Sequence, residues 1–262
     1  MTQAVVVQNS LHGRVAIVTG GGSGIGQATC VALADRGVHV VVVDLNEQSV
    51  ECTMRLLSSA HSDDHMAVAC DVRDDQATQR MTRRVLAAFG SIDILIHCAG
   101  ILRMKGTSPK PLVDLTTEEW DVILDTNLKG TYLVNRAVLP NMIERRRGHI
   151  VNLSSTSGRQ AKAHDAAYCA SKFGVVGLSE AIAEEVRAHG VKVQVLLPDA
   201  VNTPLWEQNG PVPVPPYALS ASRVADVIVY LLCMPEDTIL VNPVIAPFRT
   251  RRRVQKRSTE SA

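Results

Sequence analysis

Apolar residues along this chain come in short blocks rich in β-branched side chains. Val15 to Thr19, Val38 to Asp44, Met66 to Val72, Ile92 to Ala99, His149 to Ser154, Val191 to Leu197 and Ile239 to Val244 read as strands. Their near-continuous apolar character predicts burial on both faces, as in a parallel sheet. Between them lie stretches of helical pattern, Gly26–Arg36, Glu47–Ser58, Asp75–Phe89, Leu128–Arg145 and Ala167–His189. Strand and helix in alternation predict right-handed βαβ units and an α/β fold with a doubly wound parallel sheet. No internal repeat or linker interrupts the pattern, and residues 1–262 are expected to form a single domain.

Composition narrows the function classes. Charged residues make up 20% of the chain and the net charge is +1, which suggests neither a nucleic-acid nor a membrane-surface partner. No run of apolar residues is long enough for a transmembrane helix. Met1 to Leu11 lacks the basic start and apolar core of a signal peptide. Cys30, Cys52, Cys70, Cys98, Cys169 and Cys233 are scattered without a C-x-x-C, as expected of reduced thiols in a cytoplasmic protein. His61 and His65 have an H-x-x-x-H spacing but flank a polar stretch, so a solvated loop is preferred to a metal site and no metal is expected. Two segments stand apart. Thr203–Pro216 holds five prolines and reads as a loop. The tail from Arg249 carries six basic residues and reads as a solvated end.

The candidate chemistry begins with Tyr168 and Lys172, whose spacing puts a phenol and an ammonium on one helical face. A positive charge within ~4–6 Å lowers a pKa by ~1–3 units and would make the phenol a usable base. Ser155 lies thirteen residues before Tyr168 and Asn127 forty-one before it. Near the start, the glycine run Thr19-Gly20-Gly21-Gly22-Ser23-Gly24-Ile25-Gly26 follows a predicted strand and opens a predicted helix. That is the setting of a phosphate-binding turn, in which Gly20 permits the turn, Gly24 lets backbone approach a pyrophosphate and Gly26 lets the helix pack on the sheet. Asp44 ends the second strand eighteen residues after Gly26, where a carboxylate can bond ribose hydroxyls and repel a 2′-phosphate.

In order and spacing these motifs resemble the classical short-chain dehydrogenases/reductases, from about Gly13 to Val244. The resemblance implies a Rossmann-type sheet of about seven strands with helices on both faces. It also implies hydride transfer between a nicotinamide cofactor and a secondary alcohol or ketone. Tyr168 would be the general acid/base, Lys172 would tune it and bind ribose, Ser155 would hold the substrate oxygen, and Asn127 would hold a water linking Lys172 to solvent. The cofactor would meet Gly20, Ser23, Gly24, Ile25, Gly26, Asp44, Asp71, Val72, Ala99, Gly100, Pro198, Val201 and Thr203, together with Tyr168 and Lys172. Family members that bind NADP often carry Arg or Lys where this chain has Ser23 and Leu45, so NAD is the expected cofactor. A homotetramer is implied as well, and Ala170, Gly174, Gly177 and Ala181 would form a flat face for close helix contact.

The chain departs from the family pattern at three places. His97-Cys98 stands where Asn-Asn is usual, Asp199 replaces a glycine after Pro198, and the glycine-rich end is replaced by Asn242-Pro243-Val244-Ile245-Ala246-Pro247-Phe248. His97 is read as a satisfied core histidine, and Asp199 as a turn residue near the substrate mouth. Ser154 is expected to point away from Ser155. The pocket walls are expected to include Leu102, Gln160, Leu205, Trp206 and Tyr217, which suits a neutral, moderately apolar substrate. Alternatively, Arg103, Lys105 or Arg159 reaches in and binds an anion. Two further readings remain: a 3-oxoacyl thioester reductase, and a non-catalytic NAD-binding regulator.

Overall fold

The computed structural model describes residues 11–57 and 65–248. Ser58, His61 and the basic tail from Arg249 lie outside the described residues. Among the described residues, seven strands form one sheet: β1 (Val15–Thr19), β2 (His39–Asp44), β3 (Met66–Ala69), β4 (Ile94–His97), β5 (Gly148–Leu153), β6 (Val191–Pro198) and, after a separate short pair β7 (Val201–Asn202) and β8 (Leu219–Ser220), β9 (Val244–Ile245). The order is β3-β2-β1-β4-β5-β6-β9, and every pairing is parallel. Neighbouring crossovers run in opposite directions from β1, so the crevice between the carboxyl ends of β1 and β4 is the switch point where such sheets bind ligands.

Side-chain alternation along the strands divides the core into two layers. Ala16, Val18, Val40 and Val42 face α1 (Gly24–Ala34), α2 (Glu47–Leu57) and α7 (Ala221–Leu232). Val15, Ile17, Val41 and Val43 face α3 (Asp75–Phe89), α5 (Gly130–Glu144) and α6 (Ala166–Val186). The expected seven strands and five helices are present, β1 and α3 with the expected ends and the others with shifted ones.

Three features differ from the sequence reading. The expected strand over Ile239–Val244 is only Val244–Ile245, pairing with Leu197 and Pro198. Helices α4 (Thr117–Leu124) and α7 were not anticipated. Both carry helix-start signals that could have revealed them: Thr116 with Glu119 forms a capping box, and Ser220 accepts from the Arg223 N–H. The expected Leu128 start of α5 is replaced by a π-helical stretch, Asp125–Lys129, joining α4 to α5. Such insertions re-aim side chains, and this one turns Asn127 toward the end of β4.

Candidate active site

The glycine turn leaves β1 at the switch point. Gly26 lies so close to the turn that a Cβ there would stand 2.1 Å from the Gly20 carbonyl oxygen. Its part is thus to seat α1 on the turn itself rather than on the sheet. Gly24 has φ +52, and a Cβ on it would stand 3.1 Å from two carbons of the Thr203 side chain. Thr203 therefore crosses the turn, bringing the segment after β6 to the start of α1. Ser23 sits at the N-cap of α1 without bonding its amides. The helix end keeps its N–H donors and partial positive charge for an anion. These residues fit a dinucleotide.

Asp44 accepts from the Gly22 N–H at 3.0 Å and the Asn46 N–H at 3.1 Å, which holds its carboxylate against the turn. Leu45 beside it is exposed. Asp71 is held by Arg73, which donates Nε to Oδ1 and Oδ2 at 3.0 Å each and Nη2 to Oδ2 at 2.7 Å. The guanidinium bonds hold the Asp71 carboxyl below its ordinary range. Val72 is buried against Gly130. Pro198 pairs with Ile245, and Val201 is buried where β7 meets Leu219.

Ala99 and Gly100 leave β4 between this turn and α6. The Ala99 N–H reaches the Thr19 hydroxyl at 3.3 Å. A Cβ on Gly100 would stand 3.1 Å from Asn127 Oδ1 and 3.4 Å from Lys172 Nζ, so both groups converge on that backbone. Asn127 is buried and bonds Ile101 twice, accepting its N–H and donating to its carbonyl, each at 2.8 Å. Its amide also donates to Ser171 Oγ at 3.0 Å.

Ser155 follows β5, and its hydroxyl accepts the Ser157 N–H at 3.1 Å. It also lies beside the Tyr168 side chain and favours the ionised phenol. Ser154 points away, as expected, and donates to the Lys172 carbonyl at 2.9 Å. Lys172 Nζ lies 5.7 Å from the centre of the Tyr168 ring and donates to the Leu153 carbonyl at 3.0 Å. The expectation that Lys172 brings the phenol near neutrality is not met by this pair alone. Burial pushes Tyr168 up to about 12, with the neighbouring Ser155 side chain opposing it. Burial also pushes Lys172 down to about 8. Both groups leave water, and each loses more by desolvation than it gains from its neighbour.

His97 is buried and its Nδ1 pairs with Thr19 Oγ1 at 2.8 Å. It is not fully satisfied, since Nε2 is buried without a partner among the described residues. Burial, with Lys172 nearby, pushes its pKa down to about 3. Asp199 accepts from Thr156 Oγ1 at 3.2 Å, next to Ser155, so its carboxylate braces the loop that carries Ser155. Of the expected walls, Leu102 lines a cleft beside Tyr168 together with Arg103, Met104, Thr107 and Asp165. Trp206 is instead bent back onto its own turn, donating Nε1 to the Val201 carbonyl at 2.7 Å. Gln160 is exposed. Asp165 and Gln208, absent from the sequence reading, bond Arg103 inside the site. Asp165 carried a usable signal as a cap-type residue directly before α6.

The strand order, with a glycine turn at the switch point, defines the Rossmann class of α/β proteins. The family profile described as short chain dehydrogenase matches residues 14–212. The chain belongs to that family and is an oxidoreductase of it. It is 41% identical over 203 residues to D-threitol dehydrogenase of Mycolicibacterium smegmatis, covering 77% of this chain and 76% of that protein. A metagenomic short-chain oxidoreductase solved in complex with NADP superposes with a TM-score of 0.78 at 34% identity, covering 92% of this chain and 100% of that one. The 3-ketoacyl-(acyl-carrier-protein) reductase of Brucella melitensis, solved with NADH, superposes with a TM-score of 0.81 at 29% identity, covering 90% of this chain and 98% of that one.

Proposed function

We propose that this chain is an NAD-dependent oxidoreductase that interconverts a neutral secondary alcohol and its ketone. The observation that carries the reading is the meeting of Ser155, Tyr168 and Lys172, with Lys172 Nζ 5.7 Å from the centre of the phenol ring, beside the glycine turn. When bound, the nicotinamide supplies the carbon that exchanges hydride with the substrate. Ser155 and Tyr168 hold the substrate oxygen, and Tyr168 moves its proton. Lys172 would hold ribose hydroxyls and adds positive charge beside the phenol. Asn127 ties the β4 loop to α6 beside Lys172, where a proton leaves or enters. At neutral pH the buried phenol is protonated, ready to donate in ketone reduction; oxidation requires that its proton be withdrawn.

Asp44, fixed against the glycine turn, supports NAD over NADP, because a 2′-phosphate would meet its charge. A neutral substrate is supported by the state of the nearby cations. Arg103 is paired with Asp165, and Lys110 with Glu119 at 2.8 Å. An anionic substrate binding through Arg103 or Lys110 would have to break such a pair. The likeness to a 3-ketoacyl reductase favours a second reading, reduction of a 3-oxoacyl thioester. A panel of alcohols with NAD, read by NADH absorbance, tests the first reading. Turnover of 3-oxoacyl thioesters with NADPH alone would replace it with the second, and inactivity on both panels would leave a cofactor-binding regulator.

The free thiols support a reducing, cytoplasmic compartment. A homotetramer formed through α5 and α6 is part of the same reading. Ala170, Phe173, Gly177 and Ala181 are exposed on α6, next to exposed Tyr132 of α5. Gly174 belongs to the chain's own packing, since a Cβ there would stand 2.7 Å from Leu128. Light scattering at micromolar concentration distinguishes the tetramer from a monomer.

A further inference from the structure

Arg103 is buried, yet the sequence around it carries no motif. Its guanidinium bonds two other segments of the chain. One nitrogen donates to the Asp165 carboxylate. The other donates to Asn209 Oδ1 at 2.7 Å and to the Gln208 carbonyl at 3.5 Å. The Gln208 side chain returns the contact, accepting the Leu102 N–H at 2.8 Å and the Arg103 N–H at 3.2 Å. Each of the three segments so joined carries part of the site. The loop holding Arg103 begins with Ala99 and Gly100. The turn Pro204–Asn209 follows Thr203, which crosses Gly24. Asp165 stands three residues before Tyr168, and its carbonyl accepts the Cys169 N–H at 2.8 Å.

Asp165 occupies the N-cap of α6, where a carboxylate ordinarily bonds the first amides of the helix. Here its side chain caps nothing and is turned to Arg103. The preceding His164 is held at φ +65, a conformation that costs a non-glycine residue energy and persists only where its surroundings impose it. A buried ion pair is a poor source of stability, since apolar residues of the same volume do as well. What the pair and its fork of donors provide is one fixed arrangement of three loops.

We propose that Arg103 is a positioning residue. It ties the 204–209 turn to the start of α6 and so sets the distance between Thr203 at the cofactor turn and the Tyr168 hydroxyl. The proposal rests on the alcohol–ketone reading, but its first test does not require turnover.

Hydrogen exchange on the cofactor-free protein compares the wild type with Arg103→Gln and Arg103→Lys. Arg103→Gln should speed exchange of the 204–209 amides at least about tenfold and leave the amides of β1, β4 and β5 unchanged. With an active alcohol, its kcat should fall at least about tenfold while the dissociation constant of NAD stays within about twofold. Arg103→Lys keeps a charge on Asp165 but loses the fork, and should fall between. Unchanged exchange over 204–209, or equal loss of protection throughout the sheet, overturns the proposal. If Arg103→Gln does not fold, the double variant Gln208→Ala/Asn209→Ala leaves the Arg103–Asp165 pair in place. It must open the same turn, and wild-type exchange in it also overturns the proposal. A wild type inactive on every alcohol defeats the functional reading, while the exchange result still decides the role of Arg103.

Discussion

The two halves of the site are built by different means. On the cofactor side the links between the glycine turn, the end of β2 and α2 are short-range along the chain. Gly22 bonds Asp44 across 22 residues, Gln27 bonds Thr53 across 26, and Thr53 bonds the Gly21 carbonyl across 32. Most of the work there falls to backbone and missing side chains. On the substrate side Arg103 reaches Asp165 across 62 residues and Asn209 across 106, and Thr156 reaches Asp199 across 43. Polar and charged side chains do the work, often in pairs. The first half is set by local geometry that few residues can satisfy. The second is set by partners that could be exchanged together without disturbing any local pattern. Substrate preference can therefore diverge while the cofactor turn stays recognisable.

The comparison breaks most sharply at Tyr168, where the two halves meet. Tyr168→Phe should lower kcat by about 10²–10⁴-fold and leave NAD binding within about twofold. Steady-state kinetics beside a cofactor titration measure both, and a variant with wild-type kcat would falsify the assigned role. On the cofactor side, Gly26→Ala places a methyl into the Gly20 carbonyl. Overpacking of this kind costs about 1–3 kcal/mol, so both the unfolding midpoint in urea and NAD affinity should drop. Unchanged NAD affinity would mean the turn does not depend on that close approach.

His97 lies at the seam, bonded to Thr19 and near Lys172. Its folded pKa, about 3, is below the ordinary 6.5, and His149, bonded to Gln194, is likewise lowered to about 4 by burial. The unfolded chain takes up these protons first as pH falls. The stability contribution of each neutral histidine is thus present above about 6.5 and is lost toward its folded pKa, at ~1.4 kcal/mol per pH unit. Denaturant unfolding between about pH 7 and 5 should show a shallower slope in His97→Asn than in the wild type. An unaltered slope would mean that His97 is already charged in the folded protein. The smallest expected change is at Asp44. Asp44→Ala should weaken NAD and relieve repulsion of a 2′-phosphate, narrowing the NAD/NADP affinity ratio by about tenfold or less. A ratio that widens would show that Asp44 serves the turn alone.

The parallel sheet was legible because both of its faces are covered, so that strands such as Val40–Val43 are apolar throughout. Helix α7 was missed although it packs in the same core as α1. Its apolar positions follow a proline-rich segment that drew the reading toward a loop. The final strand was drawn too long because Ile239–Val241 is apolar yet exposed. Spacing that matches the family pattern brought Asn127, Ser155, Tyr168 and Lys172 into one reading, and the fold gathers these side chains at the ends of β4 and β5.

Sequence by itself determined what depends on neighbours along the chain: the alternation of strand and helix, the glycine turn, the acidic end of β2 and the helical spacing of Tyr168 and Lys172. Only the tertiary structure decided what depends on burial and on distant partners. It set the titration of the pair, because desolvation is a property of the surrounding packing and outweighs the attraction their spacing suggests. It also decided that Arg103 faces Asp165 and the Gln208–Asn209 turn rather than solvent. No local pattern encodes a contact whose partners lie 62 and 106 residues away.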